Sequence, residues 1–504
     1  MMALFRPVAN QLSPYSAKII SMSLSSEEGA APASPRRDDG EPGEPGRPLH
    51  TAWAIDRTDW RGVSFGMALS CFVAFQQFKL PPILPGLLQD FHYPRALAAS
   101  FMSIYAVVGL IASLPLGRWM KRHGYGPGLK LGIVSTALGL LLALALARFG
   151  SVLLLSRALE GLTYAIFAIA GPVIATASAR FRDLPLVTGL LAGWIPVGQI
   201  GAGLLALAVP SWVASGLAGS LAGWQLVWLV ALALTALLGV LCWRYGHREN
   251  VGTGNSPAKA RVAVMADTNA AETTPAALAI PPAPGRTRPH PATGSALGAW
   301  LAPRLADLLA AGTFLLWSAQ YFAFMTWLTQ YLIEQHHLQP QQAILVYLLP
   351  VVVLLACNLL TGWALGRGLP LVPALILSLV LQGLVWALTP FLGDVTGIMA
   401  LLVYGICAGV IPTCLFHLPH HIASHRHHRQ RGTPAGESAR QGIKAGPEAF
   451  ATLMTGRNIG VFCGPLLLPQ LLALLGDWNL AAQIIAVITW IGAGLTIGLA
   501  RHFR

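Results

Sequence analysis

Charged residues are scarce in this chain. Asp, Glu, Lys and Arg make up only 11% of its 504 residues, whereas hydrophobic residues make up 55%. Average soluble domains are roughly 25% charged. A soluble protein with so little charge would expose large apolar patches and aggregate. The low charge therefore excludes an ordinary soluble protein and favours a chain whose apolar surface faces lipid.

Acidic residues are scarcer than basic ones, with 20 Asp and Glu against 33 Lys and Arg, which gives a formal net charge of +13. In a soluble protein such a surplus would indicate nucleic acid as a partner. Here the basic residues lie mainly in polar segments between apolar stretches, as the positive-inside rule describes for membrane proteins. We therefore expect a lipid bilayer around this chain and no nucleic acid.

The chain also lacks the motifs of several enzyme classes. It has no Gly-x4-Gly-Lys-Ser/Thr phosphate loop and no His-Glu-x2-His zinc motif, which argues against an ATP-driven pump and a metalloprotease. Its cysteines number only six and all fall in apolar stretches, which argues against a disulfide framework. We expect no enzyme activity and no cofactor.

What the chain has in abundance is apolar stretches long enough to cross ~30 Å of hydrocarbon as helices of about 20 residues. They are predicted at 62–86, 97–117, 129–148, 151–176, 186–208, 223–243, 305–333, 342–363, 371–391, 395–416, 448–473 and 479–499. The sequence therefore predicts an all-α membrane protein with twelve transmembrane helices. Its predicted parts are a disordered tail (1–60), a six-helix bundle (61–243), a linker (244–304), and a second six-helix bundle (305–504) with a His-rich loop (417–447).

Loop charges predict the orientation. With the amino terminus in the cytoplasm, the cytoplasmic loops hold Lys121, Arg122 and Arg180 and the many basic residues of the linker and the His-rich loop. The opposite loops keep little beyond Arg95 and Arg148. We therefore expect a multi-pass protein of the inner (plasma) membrane with both termini in the cytoplasm.

The two predicted bundles share a short pattern. Gly117 and Arg122 follow the second span as Gly-x4-Arg, and Gly362 and Arg367 follow the eighth span in the same way. Glycine permits close helix contact, and arginine can bond the exposed carbonyl groups at a helix end. A parallel repeat of six helices is typical of one transporter architecture.

At these residues the chain resembles the major facilitator superfamily. That family has a loop of the form Gly-x3-Asp-Arg-x-Gly-Arg-Arg after its second helix, and here Gly117, Arg122 and Gly124 match it while Lys121 replaces the Asp. The family's Arg-x3-Gly pattern on the fourth helix appears as Arg157 to Gly161. The resemblance implies two bundles around a central site and transport by alternating access. The exchange at Lys121 implies a different charge network at this loop.

Ionisable side chains inside a span are costly and are candidates for function. Lys79, beside Gln76 in the outer half of the first span, either faces a central cavity or snorkels to the membrane surface. Arg157 and Glu160 share one face of the fourth span and can pair. Arg157 would bind an anion or assist coupling and Glu160 would carry a proton, or the two would form a structural ion pair.

Arg457, next to Asn458, lies near mid-depth of the eleventh span, where snorkelling does not explain a cation. Its planar guanidinium suits a carboxylate or phosphate. Gln320 and Asn358 complete the predicted substrate site, although each could equally serve as a hydrogen bond between helices. Three cations against one acid indicate an electropositive cavity and a small anionic solute.

The His-rich segment contains weak metal-ligand candidates, His420, His421 and His425. Neither a cysteine nor a carboxylate lies among these histidines, so a solvated basic loop at the lipid surface is favoured over a metal site.

Together these features predict a secondary active transporter of a small organic solute, with an anion favoured and protons as a candidate coupling ion. Two alternatives stay open: a multidrug or amphipathic-cation exporter of the same fold, and a non-transporting membrane sensor.

Overall fold

The structure is a computed structural model that describes residues 57–180, 183–215, 221–251, 304–391, 393–431 and 447–503. All of 1–56 and most of the linker at 244–304 lie outside these residues. Within the described ranges the regular structure is helical and no strand occurs.

Short turns join most of the consecutive helices within the described ranges. They are α1 (Trp60–Phe78), α2 (Leu80–Phe91), α3 (Arg95–His123), α4 (Tyr125–Leu146), α5 (Gly150–Ala177), α6 (Leu184–Ala192), α7 (Trp194–Ala214), α8 (Gly223–Val251), α9 (Leu305–His336), α10 (Pro340–Gly366), α11 (Leu371–Leu388), α12 (Asp394–Arg431), α13 (Pro447–Leu475) and α14 (Trp478–Phe503). We refer to α1–α8 as the N-terminal helices and to α9–α14 as the C-terminal helices.

Most of these helices are long and apolar enough to cross a membrane. Eleven helical stretches in the described residues qualify, with α1 and α2 counted as one span, Trp60–Phe91. The bent pair α6 and α7, at 46° to each other, makes a twelfth if it is one span. An all-α membrane fold is thereby confirmed, with eleven or twelve spans where twelve were predicted.

Two helix ends differ from the prediction. The helix α12 continues to Arg431, so the first half of the segment 417–447, predicted as a loop, is helical. No glycine or proline interrupts 420–431, and Gly432 and Pro434 come only afterwards, so helical hydrogen bonds can continue to that point. In the same way α8 continues to Val251, past the predicted boundary at 243.

The two ends of the helix bundle are defined by their turns. The turns at 92–94, 147–149, 337–339 and 476–477 lie at one end, which we call the Arg95 end. The turns at 124, 178–183 and 367–370 lie at the opposite end, which we call the linker end. The ion pair between Arg95 on α3 and Glu334 on α9 joins the N-terminal and C-terminal helices at the Arg95 end, with Nη2 to Oε1 at 2.8 Å.

The outer surface of the bundle is apolar. Phe391, Val395 and Leu474 have exposed fractions of 79%, 76% and 81%, which would be costly in water. In hydrocarbon the same side chains contact equally apolar lipid tails, so their exposure is not costly. Helix association then depends on close packing and interhelical hydrogen bonds.

Close packing is evident between α9 and α13. Gly456, Gly460 and Gly464 recur every fourth residue on α13 and face the backbone of α9 at Ala311, Leu315 and Ala319. An added methyl group at any of the three would overlap that backbone. The glycines therefore set the close approach of these two helices.

Candidate functional site

The first span is interrupted at Lys79. The backbone N–H of Lys79 still bonds the carbonyl of Phe75 at 2.9 Å, and the helix resumes as α2 with Pro81 and Pro82 in its first turn. Proline has no N–H, so Pro81 leaves the carbonyl of Gln77, four residues earlier, without its helical donor. Prolines inside a helix kink or end it, and here the pair follows a one-residue interruption within a 32-residue span.

Arg157 of α5 uses the carbonyl groups beside this interruption. Its Nη2 donates to the carbonyl of Gln77 at 3.3 Å, and its Nη1 donates to the carbonyl of Gln76 at 2.9 Å. Its Nε donates to the carbonyl of Phe101 on α3 at 3.2 Å. One guanidinium therefore joins α1, α3 and α5 deep inside the N-terminal helices.

Glu160 lies between two cations. One carboxylate oxygen pairs with the Lys79 ammonium at 2.9 Å, and the other pairs with Arg157. Lys79 also donates to Oε1 of Gln76 at 2.6 Å. The side chains of Lys79, Arg157 and Glu160 are 0% exposed. We call these three residues the buried triad; with each group in its ordinary charged form it carries one net positive charge.

This arrangement is not that of a snorkelling lysine, because Lys79 points into the bundle. Its ammonium lies 4.6 Å from the centre of the Trp228 ring. Two buried donors beside it, Nε2 of Gln76 and Nε1 of Trp228, have no hydrogen-bond partner among the described residues. Lys79 is thus held by one acid, one amide oxygen and one aromatic face, which suits a desolvated cation.

A separate cavity lies between α6 and α7 of the N-terminal helices and four of the C-terminal helices. Its volume is about 70 Å³, room for a few water molecules. The lining residues are Ala192, Ile195, Pro196, Phe314, Trp317, Tyr321, Phe322, Leu354, Asn358, Ala408, Pro412, Phe416 and Arg457. Of the predicted substrate-binding residues, only Arg457 and Asn358 are among them, and no member of the buried triad is.

Arg457 is the charged group of this cavity. Its Nη1 donates to Oδ1 of the neighbouring Asn458 at 3.1 Å. Among the described residues, no carboxylate forms an ion pair with it. Asn358 lines the same cavity, and its Oδ1 accepts from the hydroxyl of Thr413 at 3.0 Å. The amide N–H groups of Asn358 are the hydrogen-bond donors that this residue can offer a ligand.

Gln320 lies in a closed network instead. Its Oε1 accepts from Trp386 at 2.8 Å and from Tyr404 at 3.1 Å, and its Nε2 donates to Gln382 at 3.1 Å. Gln320 is 0% exposed and is not among the residues lining the cavity. The structure therefore shows interhelical hydrogen bonds at Gln320, which was one of its two predicted roles.

Sequence reasoning did not single out Gln199 on α7. Its Oε1 accepts from Tyr321 at 3.1 Å, and its Nε2 donates to the hydroxyl of Tyr347 at 2.8 Å. The signal was a lone amide in the otherwise apolar fifth span, since buried polar groups in membranes bond across helices. Gln382, which bonds Gln320, was also missed, and it too is a lone amide in an apolar span.

The glycine and arginine pattern behaves differently from the prediction at several positions. A methyl group added at Gly117 would make only ordinary contact, at 3.6 Å, and one added at Gly362 would meet nothing within 4 Å. Neither glycine therefore mediates close helix contact. Gly161 does, because an added methyl would lie 2.5 Å from the carbonyl oxygen of Tyr105 on α3. Gly124 has φ of +83° at the turn after α3, a conformation that favours glycine.

Arginine does not cap the eighth span as expected. The backbone N–H groups of Arg367, Gly368 and Leu369 bond the carbonyls at the end of α10. The guanidinium of Arg367 stacks on Trp363 instead, 3.7 Å from the ring centre. The matching residue Arg122 is exposed in the last turn of α3.

The metal-ligand candidates on α12 are His420, His421 and His425. The rings of His421 and His425 lie 4.8 Å apart, as expected one turn apart on a helix. In the part of the chain that the structure describes, no three His, Cys, Asp or Glu side chains are placed to hold a metal ion. The third candidate, His420, therefore completes no such group.

A helical membrane protein with a buried charge cluster, and a cavity between its N-terminal and C-terminal helices, has the features of a transporter. A family model described as the Major Facilitator Superfamily matches residues 65–436. The match covers well over half of the chain, so the protein belongs to the major facilitator superfamily and is a membrane transporter of that superfamily. No curated protein sequence matches the chain.

Proposed function

We propose that this chain is a secondary active transporter that moves a small organic anion by alternating access. The observation that carries the proposal is Arg457, which lies in the first half of α13, lines the cavity and has no acidic partner in the described residues. A cation within a membrane span needs a counter-ion. An anionic substrate would supply it and would be held by a planar pair of N–H donors.

The walls of the cavity favour an organic anion with a flat or apolar body. Trp317 and Tyr321 are stacked there, with ring centres 5.2 Å apart, and Phe314 packs on Trp317 at 5.8 Å. Aromatic walls with one or two convergent polar groups are typical of small-molecule sites. The carboxylate would bond Arg457, and Asn358 lines the same cavity.

The buried triad does not line the cavity in this conformation. We therefore propose that Lys79, Gln76 and Arg157 contribute to energy coupling and not to direct substrate contact in this state. Glu160 is the candidate proton carrier, because it is the acid shared by the two cations. In proteoliposomes, Glu160→Gln should abolish uptake driven by a proton gradient while leaving solute exchange. Loss of both activities equally would contradict the coupling role.

We place the linker end and both termini in the cytoplasm of the inner membrane, since that end carries most of the basic residues. In intact cells, an impermeant thiol reagent should then label Gln341→Cys at the Arg95 end but not Arg367→Cys at the linker end. Labelling of Arg367→Cys alone would invert the proposed orientation.

The first test is a thermal-shift screen of the purified protein with matched panels of small carboxylates, phosphates, lipophilic cations and neutral solutes. A ligand that binds only the folded state raises the apparent melting temperature. We expect carboxylates to stabilise the wild type and Arg367→Gln, but not Arg457→Gln. The two variants lose the same charge, so a difference between their ligand-induced shifts in melting temperature shows that the ligand binds at Arg457. Counterflow in proteoliposomes with the stabilising carboxylate follows.

Other outcomes would favour the alternatives. Stabilisation by lipophilic cations alone would overturn the anion proposal in favour of a cation exporter. A carboxylate that binds through Arg457 without counterflow across sealed vesicles would favour a sensor.

A further inference from the structure

Gln199 joins the N-terminal helices to the C-terminal helices beside the cavity. Its amide bonds Tyr321 of α9 at 3.1 Å and Tyr347 of α10 at 2.8 Å. Gln199 and Tyr347 are 0% exposed and Tyr321 is 4% exposed. Tyr321 also lines the cavity, so one side chain belongs both to the cavity wall and to this connection.

The connection is the first of several between the cavity and the Arg95 end. Beside it, Phe78 stacks on Phe322, which also lines the cavity, with ring centres 5.7 Å apart. Closer to the Arg95 end, the hydroxyl of Thr329 donates to the carbonyl of Pro81 at 2.7 Å. The Arg95–Glu334 ion pair lies furthest out. Separation of α7 from α9 and α10 would break the hydrogen bonds of Gln199 to Tyr321 and Tyr347.

We propose that Gln199 is a positioning residue that couples the cavity wall to closure of the Arg95 end. The inference rests on the alternating-access proposal. While the Arg95 end is closed, the Tyr321 hydroxyl is donated to Gln199 and its ring is held against Trp317. Separation at this level leaves the Gln199 amide and two tyrosine hydroxyls without their partners. A solute that bonds Tyr321 directly competes with Gln199 and lowers the cost of that separation.

A matched control exists within the chain. Gln382 is also 0% exposed, and its Oε1 accepts from Trp317 and Gln320, both on α9. Its described hydrogen bonds therefore stay within the C-terminal helices and do not cross to the N-terminal helices. Substitution of either glutamine by leucine removes buried hydrogen bonds, but only Gln199→Leu removes a connection between the two sets of helices.

The test measures distances at both ends of the full-length protein in nanodiscs, in a background without native cysteines, by double electron–electron resonance. Spin labels at exposed Gln89 and Gln341 report the Arg95 end, and labels at exposed Lys130 and Leu369 report the linker end. We expect Gln199→Leu to raise the ratio of open to closed Arg95 ends about tenfold, since it removes the buried hydrogen bonds to Tyr321 and Tyr347 and a weaker one to the sulfur of Met325. Tyr347→Phe should give a smaller shift in the same direction.

The control separates a positioning role from a structural one. Gln382→Leu should lower the melting temperature without changing either distance distribution. If both glutamine variants leave the distances unchanged while Glu334→Gln shifts them, the inference about Gln199 fails and alternating access stands. If no variant, including Glu334→Gln, changes either distance, the inference fails together with the alternating-access proposal.

Discussion

At the scale of single residues, the buried triad places three charged side chains where no water can solvate them. Lys79 and Arg157 share one carboxylate, and neither is exposed. Breaking a buried ion pair by removing one partner is strongly destabilising when an uncompensated charge remains. The three members are therefore not equivalent: loss of the acid leaves two cations, whereas loss of Lys79 leaves the Arg157–Glu160 pair.

This asymmetry gives a stability prediction. We expect Glu160→Gln to lower the free energy of unfolding by about 3–5 kcal/mol, because both cations lose their counter-ion. Lys79→Met should cost clearly less, because it removes the surplus cation and leaves an apolar chain against Trp228. Equilibrium unfolding in detergent micelles measures both variants.

The control for the loss of an acid is Asp307→Asn, which breaks the partly exposed ion pair with Arg426 at the linker end and should cost about 1 kcal/mol or less. A Lys79→Met variant as unstable as Glu160→Gln would show that the surplus cation is not the costly part of the triad.

At the scale of helices, prolines inside spans create acceptors for other helices. A proline lacks the N–H that would bond the carbonyl four residues earlier. Pro81 leaves the carbonyl of Gln77, which accepts from Arg157. Pro85 leaves the carbonyl of Pro81, which accepts from Thr329. In α13, the carbonyl of Pro465, four residues before Pro469, accepts from Nε1 of Trp327 at 3.0 Å.

The role of Pro85 can be tested with a double-mutant cycle. Thr329→Val removes the only described donor to the Pro81 carbonyl and should cost about 1 kcal/mol of unfolding free energy. In a Pro85→Ala background, the new backbone N–H at position 85 can bond that carbonyl, so Thr329→Val should cost less. Equal costs in the two backgrounds would contradict the proline-freed acceptor.

Close packing of α13 on α9 predicts a difference between two glycines. An added methyl at Gly460 would lie 2.8 Å from Cβ of Ser318 and 2.9 Å from the backbone nitrogen of Ala319, whereas one at Gly494 on α14 meets nothing within 4 Å. Gly460→Ala should therefore lower the melting temperature. Gly494→Ala should leave it unchanged or raise it, because alanine favours the helix. A neutral Gly460→Ala would contradict the close contact.

The all-α class and the approximate number of membrane spans were predictable because a bilayer requires long apolar stretches and helical hydrogen bonding. The interruption at Lys79 was harder to place, since two prolines are tolerated in the first turn of a resumed helix. The extent of α12 was misjudged because histidine and arginine indicate a polar surface without stopping a helix.

At the scale of the whole molecule, the proposed alternating access gives Glu334 a role in closing the Arg95 end. It accepts from Arg95, and from Nε1 of Trp478 on α14 at 2.9 Å. The ion pair is partly exposed, with 44% of the Arg95 side chain and 24% of the Glu334 side chain accessible. Such a pair is worth at most about 1 kcal/mol, enough to bias a conformational equilibrium without dominating the fold.

We therefore expect Glu334→Gln to raise the ratio of open to closed Arg95 ends by up to about fivefold. The exchange Arg95→Glu with Glu334→Arg should restore most of the closed population, but not the Trp478 bond, because arginine cannot accept it. The distance between labels at 89 and 341 measures both. An exchange that behaves no better than Glu334→Gln would rule out charge pairing as the cause.

Which residues meet in the cavity could be predicted only in part. Arg457 and Asn358 were recognised as polar groups in apolar spans, and both line the cavity. The enclosure of Lys79 and Arg157 within the N-terminal helices was not predictable, because helices that are apolar all round give no pattern to show which face meets a neighbour. The pairing of Gln199 with Tyr321 depends on contacts between residues 122 positions apart.

With all three groups charged, the buried triad would also make the proposed alternating access sensitive to membrane voltage. An electric field across the membrane does work of about 2.3 kcal/mol per 100 mV on one elementary charge carried through its full thickness. Rocking of α1, α3 and α5 relative to the bilayer would carry the triad through a fraction of that field. In the proposed orientation, a voltage that is negative inside favours the conformation in which the triad lies nearer the cytoplasm. The resting potential of the cell then becomes one of the determinants of which end is open.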